Sequence, residues 1–226
     1  MNAELLVRLV DDDATLRNGL LFALQMLGLS AVGYESAEEF LQKDDPSVPG
    51  CVVMDIRMGG MSGLECQTRM KAAGFDQTVV FLSGHGDVEM AIQAVKQGAA
   101  DFLTKPVAAE KLAEACRRLF AWNLEDRERR SRRDAARARI ASLTPRERIV
   151  AVEATTGAAN KTIAQALGIS EQGVKLHRSN IYAKLDVHSA VEIRRLFEVA
   201  QVPLDPTARE ETCGAVETRL LPPEEA

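Results

Sequence analysis

Five short apolar runs, each followed by a stretch of helical spacing, fill the first half of this chain and restrict its fold. The runs are Leu5 to Val10, Ala31 to Tyr34, Cys51 to Met54, Thr78 to Leu82 and Ala100 to Leu103. Helical patterns cover Ala14 to Leu27, Ser36 to Gln42, Leu64 to Ala73, Val88 to Gln97 and a segment starting near Ala108. The punctuation agrees. Ser36-x-x-Glu39 is a capping-box pattern, Asp87 is placed to cap the fourth helix, and Gly74 and Gly98 close the third and fourth. Parallel strands need crossovers that helices supply, so the alternation predicts an α/β domain built on a five-stranded, doubly wound parallel sheet.

The third strand ends in Asp55, followed by Gly59, Gly60 and Gly63. Taken alone, such an Asp could simply cap the turn. The other strand ends change its meaning: Asp11-Asp12-Asp13 follow strand one, Ser83 ends strand four, and Thr104-Lys105-Pro106 end strand five. A parallel sheet brings all of these to one edge, where open α/β sheets bind their ligands. Crowded carboxylates repel unless a cation intervenes, and oxygen-seeking Mg²⁺ suits such a set. Lys105 can neutralise a further anion, Ser83 can donate to a phosphoryl oxygen, and Asp55 can attack phosphorus.

On LLVRLVDDD, VVMDIRMGGMSGLE, VVFLSGHGD and DFLTKPV, residues 4 to about 122 resemble the receiver domain of bacterial response regulators, a flavodoxin-like fold. The resemblance implies that Asp55 accepts a phosphoryl group from a sensor histidine kinase. It implies Mg²⁺ at Asp11, Asp12, Asp55 and the backbone carbonyl of Arg57, and phosphoryl contact by Ser83 and Lys105. Asp13 is left to cap the next helix. Phe102 falls at the family's aromatic switch, although an ordinary core Phe in a strand fits the sequence equally well. Arg57 and His85 fall where the family tunes hydrolysis. Where the family usually has Met-Pro-Gly, this chain has Met58-Gly59-Gly60, which loosens the backbone beside Asp55. A haloacid-dehalogenase-like phosphatase would need a second carboxylate two residues after the nucleophile. That position is Arg57, so the domain is expected to promote only its own phosphorylation and dephosphorylation, not to act as an enzyme on other molecules.

Charge divides the chain. Residues 1–120 carry 11 Lys and Arg against 17 Asp and Glu, whereas 121–141 carry 7 against 4 and 142–200 carry 8 against 6. An acidic first half followed by a basic middle points to two domains with different partners, a nucleic acid for the second. The pairs Glu125 with Arg129, Asp126 with Arg130 and Glu128 with Arg132 stand at i,i+4 and predict a solvated, charged helical linker over 123–142. A coiled-coil seam or a nucleic-acid-binding stretch are the alternatives there. Cys51, Cys66, Cys116 and Cys213 form no metal-ligand pattern and read as free thiols. With no apolar run of about 18 residues or more, no membrane role and a cytoplasmic location are expected.

Thr144-Pro145-Arg146-Glu147 is a complete helix start and opens a second domain, 143–200. A helix to about Thr156, a second from an Asn160 cap to Leu167, a turn at Gly168 and a third from Ser170 to about Leu185 make an all-α helix-turn-helix. Gln172, Lys175, Leu176 and Ser179 share one face of the third helix, opposite Val174, Ile181 and Leu185. A polar, cationic face suits a major groove, and a soluble packing domain with one solvated face would look similar.

On LTPRERIV, NKTIAQALGIS and VKLHRSNIYAKLDVHS, Leu143 to about Phe197 resembles the LuxR/FixJ-type helix-turn-helix. The resemblance implies that Lys175, Leu176 and Ser179 meet base edges, that Arg178 meets phosphates, and that Ser189 to Phe197 form a dimerising fourth helix. Gly173 stands in place of a common Thr, and His177 reads as structural. Pro-rich, acidic residues 201–226 read as a disordered tail. The expected protein is a two-domain response regulator that dimerises on phosphorylation, binds double-stranded promoter DNA and activates transcription with RNA polymerase.

Overall fold

The computed structural model describes residues 5–84 and 99–205. The chain divides into two units, one reaching Arg127 and the other starting at Glu128.

In the first unit, strands β1 (Leu6–Val10), β2 (Ser30–Tyr34), β3 (Gly50–Asp55), β4 (Thr78–Ser83) and β5 (Asp101–Thr104) form one parallel sheet in the order β2-β1-β3-β4-β5. Register aligns Val10 with Met54, Asp55 with Leu82 and Ser83 with Thr104, so the carboxyl ends of the strands share one edge. The strand order reverses between β1 and β3, which opens a crevice beside Asp11 and Asp55.

Alternate strand residues feed two cores. Val7, Leu9, Val53, Val80 and Leu82 pack with Leu20 and Leu24 of α1 (Ala14–Met26) and with Leu112, Cys116 and Leu119 of the long helix α4 (Ala109–Ala141). Val10, Val52, Met54 and Phe81 pack on the other face with Phe40 of α2 (Ala37–Lys43) and Cys66 and Met70 of α3 (Gly63–Ala72). Both sheet faces are thus covered, as the alternation predicts. Emptying the Phe40 site to Ala would cost about 3–5 kcal/mol. The expected helix over 88–97, its Asp87 cap and His85 lie outside the described residues.

The starts of α1 and α2 follow the predicted chemistry with one change. Asp13 accepts from the N–H groups of Thr15 and Leu16, and Ser36 accepts from that of Glu39. The other half of the expected capping box lands elsewhere: Glu39 accepts from the N–H of Glu35, one residue before the cap, at 2.7 Å.

Two polar clusters order the edge of the sheet opposite the strand ends. Arg8, fully buried in β1, donates to Asp44 at 2.8 Å and to the carbonyls of Asp45 and Val48, while Tyr34 donates to Asp44 at 2.8 Å. Asn123 donates to the Asp76 carbonyl and accepts from the N–H of Gly50, and Arg127 reaches Asp76, Ser47 and Pro46. Contacts within this unit therefore extend along α4 to Arg127.

The second unit begins with the last turns of α4, whose Ala136 and Ile140 are buried in its core. Both ends of the stretch expected to be a solvated linker are therefore packed, and the i,i+4 pair Glu128–Arg132 lies between them. Helices α5 (Pro145–Thr155), α6 (Asn160–Leu167), α7 (Glu171–Leu185) and α8 (Ala190–Ala200) enclose Val150, Ile163, Val174, Ile181, Leu185 and Phe197. Thr144 and Glu147 form the complete capping box. Asn160 does not cap α6. It is the first helical residue, the cap position falls to Ala159, and the Asn160 side chain accepts instead from Arg178. The segment after α8 is also not a free tail from residue 201: Val202 and Leu204 pack on the core, and the N–H of Val202 donates to the Phe197 carbonyl. Residues 206–226, with Cys213, lie outside the described residues.

Candidate functional site

The β1, β3 and β5 ends converge as the sequence requires. Asp11, Asp12 and Asp55 place one carboxylate oxygen each within 4.8 Å of one another. Lys105 Nζ lies 2.7 Å from Asp11 Oδ2 and 2.7 Å from Asp55 Oδ2. Each carboxylate is also oriented by a backbone N–H. Asp13 N–H donates to Asp11 Oδ1 at 2.9 Å, Arg57 N–H to Asp55 Oδ1 at 3.2 Å, and Gly59 N–H to Asp12 Oδ2 at 2.9 Å.

Electrostatics at this edge reflect burial set against pairing. Burial pushes the Asp55 carboxyl above its ordinary pKa, and the nearby Asp11 adds to the rise, while the bonds from Lys105 and Arg57 oppose it. For Lys105, burial disfavours the ammonium, but bonds to Asp11 and Asp55 outweigh it and raise the pKa. The cluster therefore keeps a cation among its acids. Three hard oxygen donors around one point fit a divalent cation of the Mg²⁺ class.

Local backbone shapes the loop after β3. Gly63 packs so closely that a Cβ there would lie 2.3 Å from the Asp55 carbonyl oxygen, and its N–H donates to the Ile56 carbonyl. Gly60 has φ +89, a conformation glycine adopts without strain. Glu38, from α2, accepts from the N–H of Met61 at 2.9 Å.

Ser83 ends β4 with 3% exposure, its Oγ 3.5 Å from the Leu103 carbonyl. Arg57 is exposed in the loop. Phe102, on edge strand β5, is 43% exposed, which excludes the reading of an ordinary core Phe. The Lys105–Pro106 peptide is cis. The Gly59 bond to Asp12 and the Glu38 bond to Met61 escape sequence reading, because a backbone donor leaves no mark in the residue pattern.

In the second unit, α7 presents Gln172, Lys175, Leu176 and Ser179 to solvent and buries Val174, Ile181 and Leu185. Leu176 is 63% exposed, an apolar side chain within a polar face. Arg178 is held rather than free: its guanidinium donates to Asn160 at 2.9 Å and to the Tyr182 hydroxyl at 2.8 Å, and lies 5.8 Å from the Tyr182 ring centre. His177 is half-buried on the same helix.

Residues 7–117 match the response regulator receiver domain, and residues 141–197 match the luxR family of bacterial regulatory proteins. The chain belongs to the response regulators in which a receiver domain precedes a LuxR-type DNA-binding domain. Among them it is similar to the transcriptional regulatory protein FixJ of Azorhizobium caulinodans, at 39% identity over 89% of this chain and 96% of that protein. Nodulation protein W of Bradyrhizobium diazoefficiens is 36% identical over 85% of each. The solved structure of response regulator StyR superposes with a TM-score of 0.78 at 39% identity, covering 87% of this chain and 99% of that one. Full-length FixJ from B. japonicum gives 0.55 at 33% identity, covering 88% and 98%. The chain is thus a FixJ-like transcription regulator. No helix among the described residues is long and apolar enough to cross a membrane.

Proposed function

We propose that Asp55 is the phosphoacceptor and that its phosphorylation controls DNA binding by the second unit. The observation that carries this reading is the convergence of Asp11, Asp12, Asp55 and Lys105 at one sheet edge. A carboxylate oxygen of Asp55 forms the bond to phosphorus as the bond from phosphorus to a sensor kinase's histidine breaks, leaving the imidazole with its electron pair. Lys105, bonded to Asp55 by its ammonium, balances negative charge on the incoming group, and Ser83 Oγ donates to a phosphoryl oxygen. Asp11, Asp12, Asp55 and the Arg57 carbonyl would hold Mg²⁺, which would supply compensating positive charge for the phosphoryl group.

Downstream, Ser83 and Phe102 change position together, and receivers pair. Pairing presents two copies of α7, whose Gln172, Lys175, Leu176 and Ser179 enter the major groove of promoter DNA, with Arg178 facing phosphate. The unit is only mildly basic, so joining two copies supplies affinity through effective concentration. The outcome is transcriptional activation through RNA polymerase. The test is oligomeric state and DNA binding with and without beryllofluoride and Mg²⁺, beside Asp55→Asn. Dimerisation and tighter DNA binding that require Asp55 support the reading, and an unchanged response in Asp55→Asn refutes it.

A further inference from the structure

We infer that Arg17 is a positioning residue for the Asp11–Asp12 pair: its guanidinium, reaching back from α1, fixes the peptide that joins the two acids and so holds Asp12 where a divalent cation can use it. This rests on the metal reading given above. Arg17 Nη1 lies 2.5 Å from the carbonyl oxygen of Asp11, six residues earlier.

The place of that carbonyl explains the bond. The Asp11 N–H still donates to the Tyr34 carbonyl at the end of β2, at 3.2 Å. There the chain leaves the sheet, and the carbonyl of Asp11, a residue with 0% exposure, takes its donor from α1. A guanidinium makes this bond charge-assisted and stronger than one from a neutral donor. The Arg17 stem is placed from its other side by β2, where a Cβ on Gly33 would come 3.2 Å from Arg17 Cδ.

The consequence falls on Asp12. The peptide between residues 11 and 12 is planar, so pinning its oxygen fixes the direction in which the chain enters Asp12. The Asp11 side chain is held independently, Oδ1 by the Asp13 N–H and Oδ2 by Lys105. Asp12 is exposed, and its carboxylate goes where the backbone of this turn sends it. With the Arg17 bond made, the carboxylates of Asp11, Asp12 and Asp55 lie within 4.8 Å of one another. Without it the turn samples other orientations, and that gathering is lost for part of the time.

Charge and position pull in opposite directions here, which makes the sign of the effect informative. A guanidinium beside a cation site repels a second cation, so if charge alone mattered, Arg17→Met would bind Mg²⁺ more tightly than wild type. Met keeps most of the stem and removes the donor. If position governs, the variant binds about tenfold more weakly, the low end of the effect of an outer-shell partner.

Calorimetric Mg²⁺ titration of the full chain decides between them. Weakening of about tenfold in Arg17→Met supports the inference, and equal or tighter binding overturns it. Urea unfolding in EDTA, reported by Trp122 in the receiver core, checks that the variant folds. A variant less stable than wild type but equal to it in Mg²⁺ affinity would mark the bond as structural only and overturn the inference. If the variant does not fold, the guanidinium resonances of wild-type Arg17 decide: rotation slowed with and without Mg²⁺ supports the inference, and free rotation overturns it. A wild-type protein that binds no Mg²⁺ sinks the metal reading together with this inference, whereas wild-type binding with no Arg17 effect sinks the inference alone.

Discussion

Lys105 Nζ stands 2.7 Å from Asp55 Oδ2, and from the same position it reaches Asp11 Oδ2 at 2.7 Å. One ammonium therefore bridges two buried carboxylates from neighbouring strand ends. At about 4 Å, two like charges in a medium of effective dielectric near 20 repel by about 4 kcal/mol, so this cation decides whether the edge tolerates its own acids. The group that would face the phosphoryl anion is the one that steadies the unphosphorylated site.

Lys105→Met should accordingly destabilise the receiver by about 3 kcal/mol in EDTA. Added Mg²⁺ should recover most of the loss by binding only the folded state. Trp122, the single Trp, packs on the receiver core and reports its urea unfolding. A variant as stable as wild type in EDTA would show that Lys105 does not relieve the acidic edge.

Arg8 makes a second buried dependence. Its guanidinium is 0% exposed and its carboxylate partner Asp44 2% exposed. Asp44→Ala leaves that charge unpaired and should cost about 3–5 kcal/mol. Arg8→Met combined with Asp44→Leu should recover most of this, because no buried charge remains. Urea unfolding of the three proteins tests it, and a loss below about 1 kcal/mol in Asp44→Ala would contradict the assignment.

The second unit carries a pH signature at Glu147, which accepts from Lys184 at 2.6 Å. Burial pushes the carboxyl up, but the bonds from Lys184 and Thr144 prevail and hold its pKa below the ordinary value. A depressed carboxylate pKa adds stability that is present above the unfolded pKa of about 4.3 and is lost as pH falls through the lower folded value. Glu147→Gln should destabilise this unit by about 1–3 kcal/mol at neutral pH, with the gap closing in acid. Amide exchange of α5 and α7 measures it; a gap that stays constant into acid would contradict the pairing.

DNA contact can be apportioned on α7. Lys175→Ala should cost about 1–3 kcal/mol of specific binding and relax sequence preference if it meets a base edge. Arg178→Ala should weaken all sequences alike and lower the salt slope by about 1. Asn160→Ala, which unpins Arg178, should shift affinity in the same direction by less. Salt titrations of binding separate these outcomes, and unchanged binding in Lys175→Ala would move the reading surface off this face.

Much of this architecture is legible in the residues because two periodicities carry it. Alternating apolar runs place Asp11, Asp55, Ser83 and Lys105 on one edge, and the spacing of Val174, Ile181 and Leu185 fixes which face of α7 is outward. What is hidden depends on partners distant in sequence. Arg8 sits in an apolar strand with no hint that Asp44, 36 residues on, will pair with it. Asn160 has the chemistry of a cap, yet the charged Arg178 takes its oxygen. Asn123 and Arg127 read as linker because their partners Gly50 and Asp76 lie far back in the chain. Phe102 is undecidable in a strand pattern, since an edge strand can leave a large side chain in solvent.

The most direct test of the account is mass spectrometry of the full chain after acetyl phosphate, with Mg²⁺ or with EDTA, for wild type and Asp55→Asn. The account predicts one phosphoryl group per chain, located at Asp55, formed only with the divalent cation and absent from the variant. Equal labelling of Asp55→Asn, or of wild type without the cation, would contradict it.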